Sequence, residues 1–581
     1  MKLSVRAMLD ILFLNLHRRY LAGEKTHGGF LGIYLLAAFV RQEGYEAKSF
    51  SGTLEEGLRH VEKFCSEKKV SMIGLYCDYD NITENIFLSR HVKENYNLPV
   101  IVGGPQATAL DEKFFRESKC DVVVRYEGEL TVIELMNFFL EEVGEIEKIL
   151  GTSYLRDEIK INPERPLIKN LDALPFIDEA CYLEPEKFFD DVSLMTGRGC
   201  PFHCAFCHEG THTRAVRFRS VENVLAEIDA RLKNFSNDEE IYILFTDDTF
   251  TLSGERVKKI CSGLAERRKN YNFKFFCEGH IHTLYKNPEM ITALSSAGCV
   301  RIQLGIEAGT APVLKAYGKN STPEEIFEVV RLCRDAGIQQ TYSNIILGGA
   351  HFSREVFEAD KKFVFDLLEE GQGTVEIGTV TYWPLAETKM TRCPEEFGIK
   401  ICDSEFLTSV GDFPQTETAE LDRLAIAEMQ RDFQRAISDK MGDMLENWRV
   451  PTKRILSWFS NSRRITHQGF WFVELFQRKS LFAYYEMLKL GEGFHSSQVE
   501  NLSAAHPLRV VPLYECLRRI DEATAEICGE ILSGVELEIL LLSTGKLSVE
   551  EISRRVEEKI SRVIEVLNRL EHRHLIVYSL H

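Results

Sequence analysis

Residues 197–210 read Gly197-Arg198-Gly199-Cys200-Pro201-Phe202-His203-Cys204-Ala205-Phe206-Cys207-His208-Glu209-Gly210, and the rest of the chain organises itself around them. Three of the 15 cysteines fall within eight residues, spaced Cys-x3-Cys-x2-Cys. The apolar run Val192 to Thr196 just before them reads as a strand. Iron–sulfur clusters are held by cysteine thiolates, and a cubane has four irons. Three thiolates on one loop leave the fourth iron open, as catalytic zinc sites keep one position for water or substrate. Gly197, Gly199 and Pro201 let the backbone fold closely around an inorganic core. Cys200, Cys204 and Cys207 are therefore the expected metal ligands. A zinc site completed by His203 or His208 is a second reading. Three small buried hydrophobes is a third, and it suits the cysteines in apolar runs, Cys261, Cys299 and Cys333.

Outward from this loop, residues 191–395 alternate strand and helix patterns. Candidate strands are Val192 to Thr196, Ile241 to Thr246, Lys274 to Glu278, Arg301 to Ile306, Thr341 to Leu347 and Val375 to Tyr382. Such a series suits a partial or full parallel barrel, whose chemistry gathers at the carboxyl ends of the strands. Residues 1–146 alternate as well. Strands are expected at Asp10 to Leu16, Tyr45 to Phe50, Val70 to Tyr76, Leu98 to Gly103 and Asp121 to Arg125. Helices are expected at Gly29 to Gly44, Thr83 to Tyr96 and Leu130 to Val143. This predicts a doubly wound parallel sheet covered on both faces. Residues 147–190 lack periodicity, carry four prolines and read as a linker. Residues 396–530 read as mostly helical, with a long amphipathic helix over Thr418 to Lys440. Residues 531–581 read as a small winged-helix-like module.

The bulk numbers agree with a multidomain α/β chain. It has 581 residues, 44% of them hydrophobic, enough for three or four cores. The formal net charge of −19 argues against broad contact with nucleic acid or an anionic membrane surface. Asp10 and the basic run from His17 break the first apolar stretch, so no signal peptide is expected. No run reaches the roughly 20 apolar residues of a membrane-spanning helix. A soluble, cytoplasmic protein is expected.

The cysteine loop, with Phe206 before its last cysteine, resembles the radical S-adenosylmethionine (SAM) superfamily. That resemblance implies a [4Fe–4S] cluster whose open iron chelates SAM, with Phe206 near the adenine. It implies a 5′-deoxyadenosyl radical that abstracts hydrogen, and an electron donor of flavodoxin or ferredoxin type. It extends along the barrel. Asp247 and Asp248 end the second strand, where the family holds the SAM amino group. Glu278 ends the third, and Gly305-Ile306-Glu307-Ala308-Gly309 ends the fourth, with Ala308 where the family usually has Ser. Ile346-Leu347-Gly348-Gly349 and Trp383-Pro384-Leu385 follow the fifth and sixth. The first domain resembles the cobalamin-binding domain of one large class of these enzymes. The matching pieces are Gly103-Gly104-Pro105-Gln106-Ala107-Thr108 and Arg125-Tyr126-Glu127-Gly128-Glu129. Gly103, Gly104, Gln106, Glu127 and Gly128 are the residues it places against cobalamin. Glycines at the carboxyl ends of parallel strands open a crevice that a flat macrocycle and its tail can enter. The Asp-x-His-x-x-Gly motif that ligates cobalt from below in many such domains is missing here.

The class implies methyl transfer to an unactivated carbon or phosphorus centre of a small-molecule or peptide substrate. One SAM methylates cobalamin and a second generates the radical. Two alternatives stay open. One is cyclisation or rearrangement with a first domain that holds no cobalamin. The other is a non-catalytic iron–sulfur sensor. The last module has eight acidic residues against seven Lys and Arg, so it lacks the basic face of a DNA reader. Ser548 and Glu551 suit a capping box there. The module also faintly resembles domains that grip leader peptides.

Overall fold

The computed structural model describes residues 9–17, 31–79, 81–106, 112–190, 192–208, 215–236, 239–402, 413–461, 469–511 and 517–579. The expected helix start at Gly29, and Ala107, Thr108, Glu209 and Gly210 of the two motifs, lie outside them. The chain forms two compact units, Met1–Val364 with Ile377–Gln434, and Phe365–Glu376 with Arg435–His581.

The first unit opens with seven strands: β1 (Leu9–His17), β2 (Ala47–Thr53), β3 (Val70–Tyr76), β4 (Val100–Gly103), β5 (Val122–Val124), β6 (Thr152–Leu155) and β7 (Ile159–Ile161). They lie in the order β2-β1-β3-β4-β5-β6-β7. The first five are parallel and the last two antiparallel. Between them run α1 (Leu31–Gln42), α2 (Leu54–Ser66), α3 (Ile82–Tyr96), α4 (Glu112–Ser118) and α5 (Glu129–Leu140). The order 2-1-3-4-5 is that of flavodoxin-like sheets, whose ligands sit at the carboxyl ends of the strands.

Alternation along β1 explains its unbroken apolar run. Leu12, Leu14 and Leu16 face a core with Val61, Phe64, Leu88 and Val92 of α2 and α3. Ile11 and Phe13 face Ile33, Ala37 and Val40 of α1 and Leu135 of α5. Both faces are buried, as a parallel sheet requires. A reciprocal capping box between Thr53 and Glu56 starts α2.

One sequence expectation needs correction here. β6 and β7 belong to the stretch that reads as a linker, and they complete the sheet. Strands of four and three residues are too short to show a period.

The barrel strands are β8 (Val192–Leu194), β11 (Glu240–Phe245), β12 (Asn272–Gly279), β13 (Cys299–Leu304), β14 (Gln340–Leu347) and β15 (Val375–Thr381), all where the sequence placed them. A small antiparallel pair, β9 (Gly197–Arg198) and β10 (Arg217–Phe218), intervenes. The six strands pair strictly in chain order, with β8 and β15 as the edges, so the sheet is a partial barrel.

In the second unit, helices Thr452–Asn461, Phe470–Gln477 and Lys479–Leu490 precede a three-stranded antiparallel sheet, Leu517–Arg519, Thr524–Ile527 and Glu530–Ser533. The sheet overrides the helical expectation up to 530. Helices Gly534–Leu542, Val549–Arg555 and Ile560–His572 follow, and Ile576–Ser579 pairs back on His506–Arg509. Ser548 and Glu551 form the expected capping box. Among the described residues no helix is long and apolar enough to cross a membrane.

Candidate functional site

The cysteine loop leaves β9 and returns on β10, whose residues Arg198 and Arg217 stand directly opposite each other. Cys200, Cys204 and Cys207 are half-buried thiols outside any disulfide. The loop is held from several sides. The Gly199 N–H donates to Asp248 Oδ2 at 3.0 Å, and the Ala205 N–H to the Tyr317 carbonyl at 2.8 Å. The Met390 N–H donates to the Ala205 carbonyl at 3.0 Å. Phe202 stacks on His280 with ring centres 3.7 Å apart. Phe206 meets Tyr317 edge-on at 5.1 Å. Gly318 has φ +76°, and a Cβ there would lie 2.8 Å from the His203 carbonyl oxygen, so only glycine lets this segment brace the loop.

Lys319 is the neighbouring charge that sequence reading missed, because its position follows from packing between distant segments. Its Nζ sits 5.6 Å from the centre of the Phe206 ring. It donates to Glu307 Oε1 at 3.0 Å and to the Gly305 carbonyl at 3.2 Å. Burial would depress the Lys319 ammonium, but Glu307 and then Cys204 hold it charged. Burial pushes the Cys204 thiol up, and Lys319 opposes that. A donor set of three soft thiols on one loop beside a fixed cation fits a cubane that binds each thiolate through a different iron. A zinc ion instead needs its donors gathered on one point at about 2.0–2.3 Å. No three His, Cys, Asp or Glu among the described residues are grouped in that way.

The other barrel candidates divide. Asp247 is turned inward. Its Oδ1 accepts the Thr196 N–H at 2.5 Å and its Oδ2 accepts the Thr196 hydroxyl. Burial raises its carboxyl to about 6. It fastens β11 to the end of β8, while Asp248 fastens the cysteine loop. Glu278 is half-buried at the end of β12 and accepts from Gln303 Nε2 at 3.4 Å. Glu307 has φ +65°, a left-handed conformation that side chains rarely adopt. Its N–H donates to the Asn344 carbonyl and its carbonyl accepts from Ile346, which locks it between β13 and β14.

Asp360 supports the same turn, its Oδ1 accepting the Gly309 N–H at 2.7 Å. Burial raises its carboxyl from 3.8 to about 7. The folded state therefore keeps a proton that the unfolded chain has lost. Stability should fall as pH rises from about 4 to 7, by up to about 4 kcal/mol from this group. Asp360→Asn keeps the acceptor and removes the titration. Its unfolding free energy should overtake the parent's across that window in denaturant titrations. Parallel pH curves for the two proteins would contradict the assignment.

Where β3, β4 and β5 end, a cavity of about 370 Å³ opens in the first unit. Its lining is mostly apolar, with Phe13, Ile33, Leu36, Gly74 and Val124, and also includes Arg198, Gly199, His208 and Asp248 of the barrel region. Gly103, Gly104 and Gly128 line it. Cβ atoms at Gly103 and Gly128 would meet only ordinary contacts, at 3.6 and 3.5 Å, so protein packing does not demand glycine there. These glycines leave room for a ligand instead. That glycine-lined, mostly apolar cradle suits the face of a flat macrocycle. Gln106 closes the turn through its N–H to the Cys77 carbonyl at 3.2 Å. His208 is held neutral by burial, although the Ala386 and Pro105 carbonyls oppose the shift.

Glu127 lies in the cavity wall, but its carboxylate is not free for a cofactor. Oε1 accepts from Arg198 at 2.9 Å and Arg217 at 2.7 Å, and Oε2 from the Ile168 N–H at 2.8 Å. Burial would raise its carboxyl, yet Arg198 and the Ile168 N–H hold it below the usual range.

Comparison with known proteins fits this geometry. Residues 194–364 match the radical SAM superfamily, and residues 26–136 match the B12 binding domain. An uncharacterized methyltransferase of Pyrococcus horikoshii is 31% identical over 347 residues, 58% of this chain and 73% of that protein. The chain belongs to the radical SAM superfamily, in its B12-binding class. The cofactors of this class are a [4Fe–4S] cluster, SAM and cobalamin. An anaerobic magnesium-protoporphyrin IX monomethyl ester cyclase of Cereibacter sphaeroides is 26% identical over 46% of this chain and 44% of its own length. A hopanoid C-3 methylase of Methylococcus capsulatus is 26% identical over 62% of this chain and 67% of its own. Among solved structures, the cobalamin-dependent SAM radical enzyme OxsB with aqua-cobalamin bound superposes at a TM-score of 0.59. That match has 17% identity and covers 98% of this chain and 81% of OxsB, and it shows the shared fold.

Proposed function

We propose that this radical SAM enzyme methylates an unactivated carbon or phosphorus centre of a small-molecule or peptide substrate, drawing electrons from a flavodoxin- or ferredoxin-type donor. One observation carries the reading. Gly199 and His208, at the two ends of the cysteine loop, also line the glycine-walled cavity of the first sheet. This shared lining supports two cofactor sites that open on one space. When bound, the cluster with SAM supplies hydrogen-atom abstraction, and cobalamin supplies a transferable methyl group.

The chain's own residues hold these groups and exclude water. Cys200, Cys204 and Cys207 provide the thiolates. Phe206 and Lys319 cover one side of the loop. Carbonyls after β11, with Glu278 and Glu307 at neighbouring strand ends, suit an ammonium and ribose hydroxyls. Gly103, Gly104, Gln106 and Gly128 shape the corrinoid cavity. Residues 1–161 form the cobalamin domain and 192–395 the barrel in this reading.

Similarity to a cyclase favours a second outcome of the same cofactors, ring formation. Anoxic reconstitution with iron, sulfide and hydroxocobalamin tests both. About four irons per chain, one corrinoid, and both 5′-deoxyadenosine and S-adenosylhomocysteine on reduction with SAM are expected. 5′-Deoxyadenosine without S-adenosylhomocysteine would favour cyclisation. A protein that retains no corrinoid would overturn the proposal.

A further inference from the structure

The four side chains Glu129, Arg198, Glu127 and Arg217 form a linear chain of ion pairs at the seam between the first sheet and the barrel. Arg198 and Arg217 are register partners on β9 and β10, like charges held face to face. Such pairs repel. Both are largely withdrawn from water, at 15% and 11% side-chain exposure, so solvent cannot screen them. Glu127 Oε1 accepts from both, at 2.9 and 2.7 Å. Glu129 Oε1 accepts from Arg198 Nη2 at 2.5 Å. Arg217 Nη1 reaches the Ile168 carbonyl at 2.8 Å, and the Ile168 N–H returns to Glu127. Two positive and two negative charges balance, and Glu127 is the group that joins both arginines and also holds the Ile168 N–H.

The placement gives this network a task. Arg198 lies two residues before Cys200, and Arg217 starts the return strand of the same loop. Glu127, Gly128 and Glu129 are consecutive where β5 passes into α5, and all three line the cavity with Arg198 and Arg217. The cavity is thus bordered by the segment that sets the base of the cysteine loop.

We infer that Glu127 is a positioning residue that couples the two cofactor sites, so that corrinoid in the cavity and cluster on the loop each strengthen the binding of the other. The inference rests on the proposed corrinoid reading. Coupling of this kind is reciprocal, and values of about 5–150-fold are typical. Here the mechanical link is short and buried, and about tenfold is expected.

Absorbance titration with hydroxocobalamin, on cluster-free and cluster-loaded protein, measures it directly. The parent should bind corrinoid about tenfold more tightly when the cluster is present, and corrinoid should shift the electron paramagnetic resonance spectrum of the reduced cluster. Glu127→Gln keeps the shape but removes the charge between the two arginines. Arg217→Met removes the repulsion and one anchor, and it decides the matter if Glu127→Gln does not fold. In either variant the ratio of affinities should fall below about twofold and the spectral shift should vanish. Equal corrinoid affinity of the parent with and without cluster would overturn the coupling alone. A variant that folds and keeps the full ratio would do the same. No corrinoid binding by the parent in either form would bring down the functional reading beneath it.

Discussion

Cys204→Ala should abolish 5′-deoxyadenosine formation, by at least about a thousandfold, because no electron reaches SAM without the cluster. The middle cysteine is the sharpest choice. It lies between the other two cysteines, where the Cys207 N–H donates to its carbonyl at 3.1 Å and fixes the turn. That bond uses the backbone and survives the substitution, as do the Ala205 bonds to Tyr317 and Met390. The loop should keep its course while losing one thiolate of three. Iron and sulfide analysis should show little or no cluster, and the thermal midpoint should stay near that of cluster-free parent protein. Cys402→Ala serves as the control. That thiol is half-buried near the Lys400 carbonyl, far along the chain from the loop, and its loss should leave cluster content unchanged. Persistent SAM cleavage by Cys204→Ala would contradict the ligand assignment.

Much of the architecture was legible in the sequence, for a physical reason. Both sheets are parallel and buried on two faces, so their strands appear as dense apolar runs with turn residues after them. Val70–Tyr76 was read to the residue, and all six barrel strands within a few residues. The last two strands, β6 and β7, were not, since they are short and antiparallel, and β6 is held by pairing with β5 and β7 by pairing with β6. The three-stranded sheet over 517–533 was missed for the same reason. In the site, the cysteines were visible because ligand spacing is local. Lys319, Asp360 and the Arg198–Glu127–Arg217 bridge join segments far apart in the chain, and spacing carries no signal of them. Strand-end carboxylates were a mixed case. Position alone made Asp247 and Glu127 resemble cofactor contacts, whereas the fold gives their oxygens to Thr196 and to two arginines.

Gly104→Val should empty the corrinoid site while sparing the cluster. Gly104 has φ +116°, where a β-branched residue is strained by about 1–3 kcal/mol. A Cβ there would also lie 2.5 Å from the Cys77 carbonyl oxygen and 3.0 Å from the Cys77 nitrogen. Both atoms are backbone, so no rotamer change relieves the contact. Cys77 is tied to the same turn, donating to the Gly103 carbonyl and accepting from Gln106. The ends of β3 and β4 must therefore part, which deforms the cavity wall where a macrocycle would lie. The cysteine loop has its own anchors at Tyr317, Met390 and Asp248, so iron content should persist. Gly103→Ala separates shape from strain. Its Cβ would stand 3.6 Å from Val124, an ordinary contact, and Gly103 lines the same cavity. That variant should match the parent in thermal unfolding yet bind hydroxocobalamin at least about tenfold more weakly, a difference of about 1.4 kcal/mol. If Gly103→Ala bound corrinoid as tightly as the parent, the glycine-walled cavity would not be where cobalamin sits.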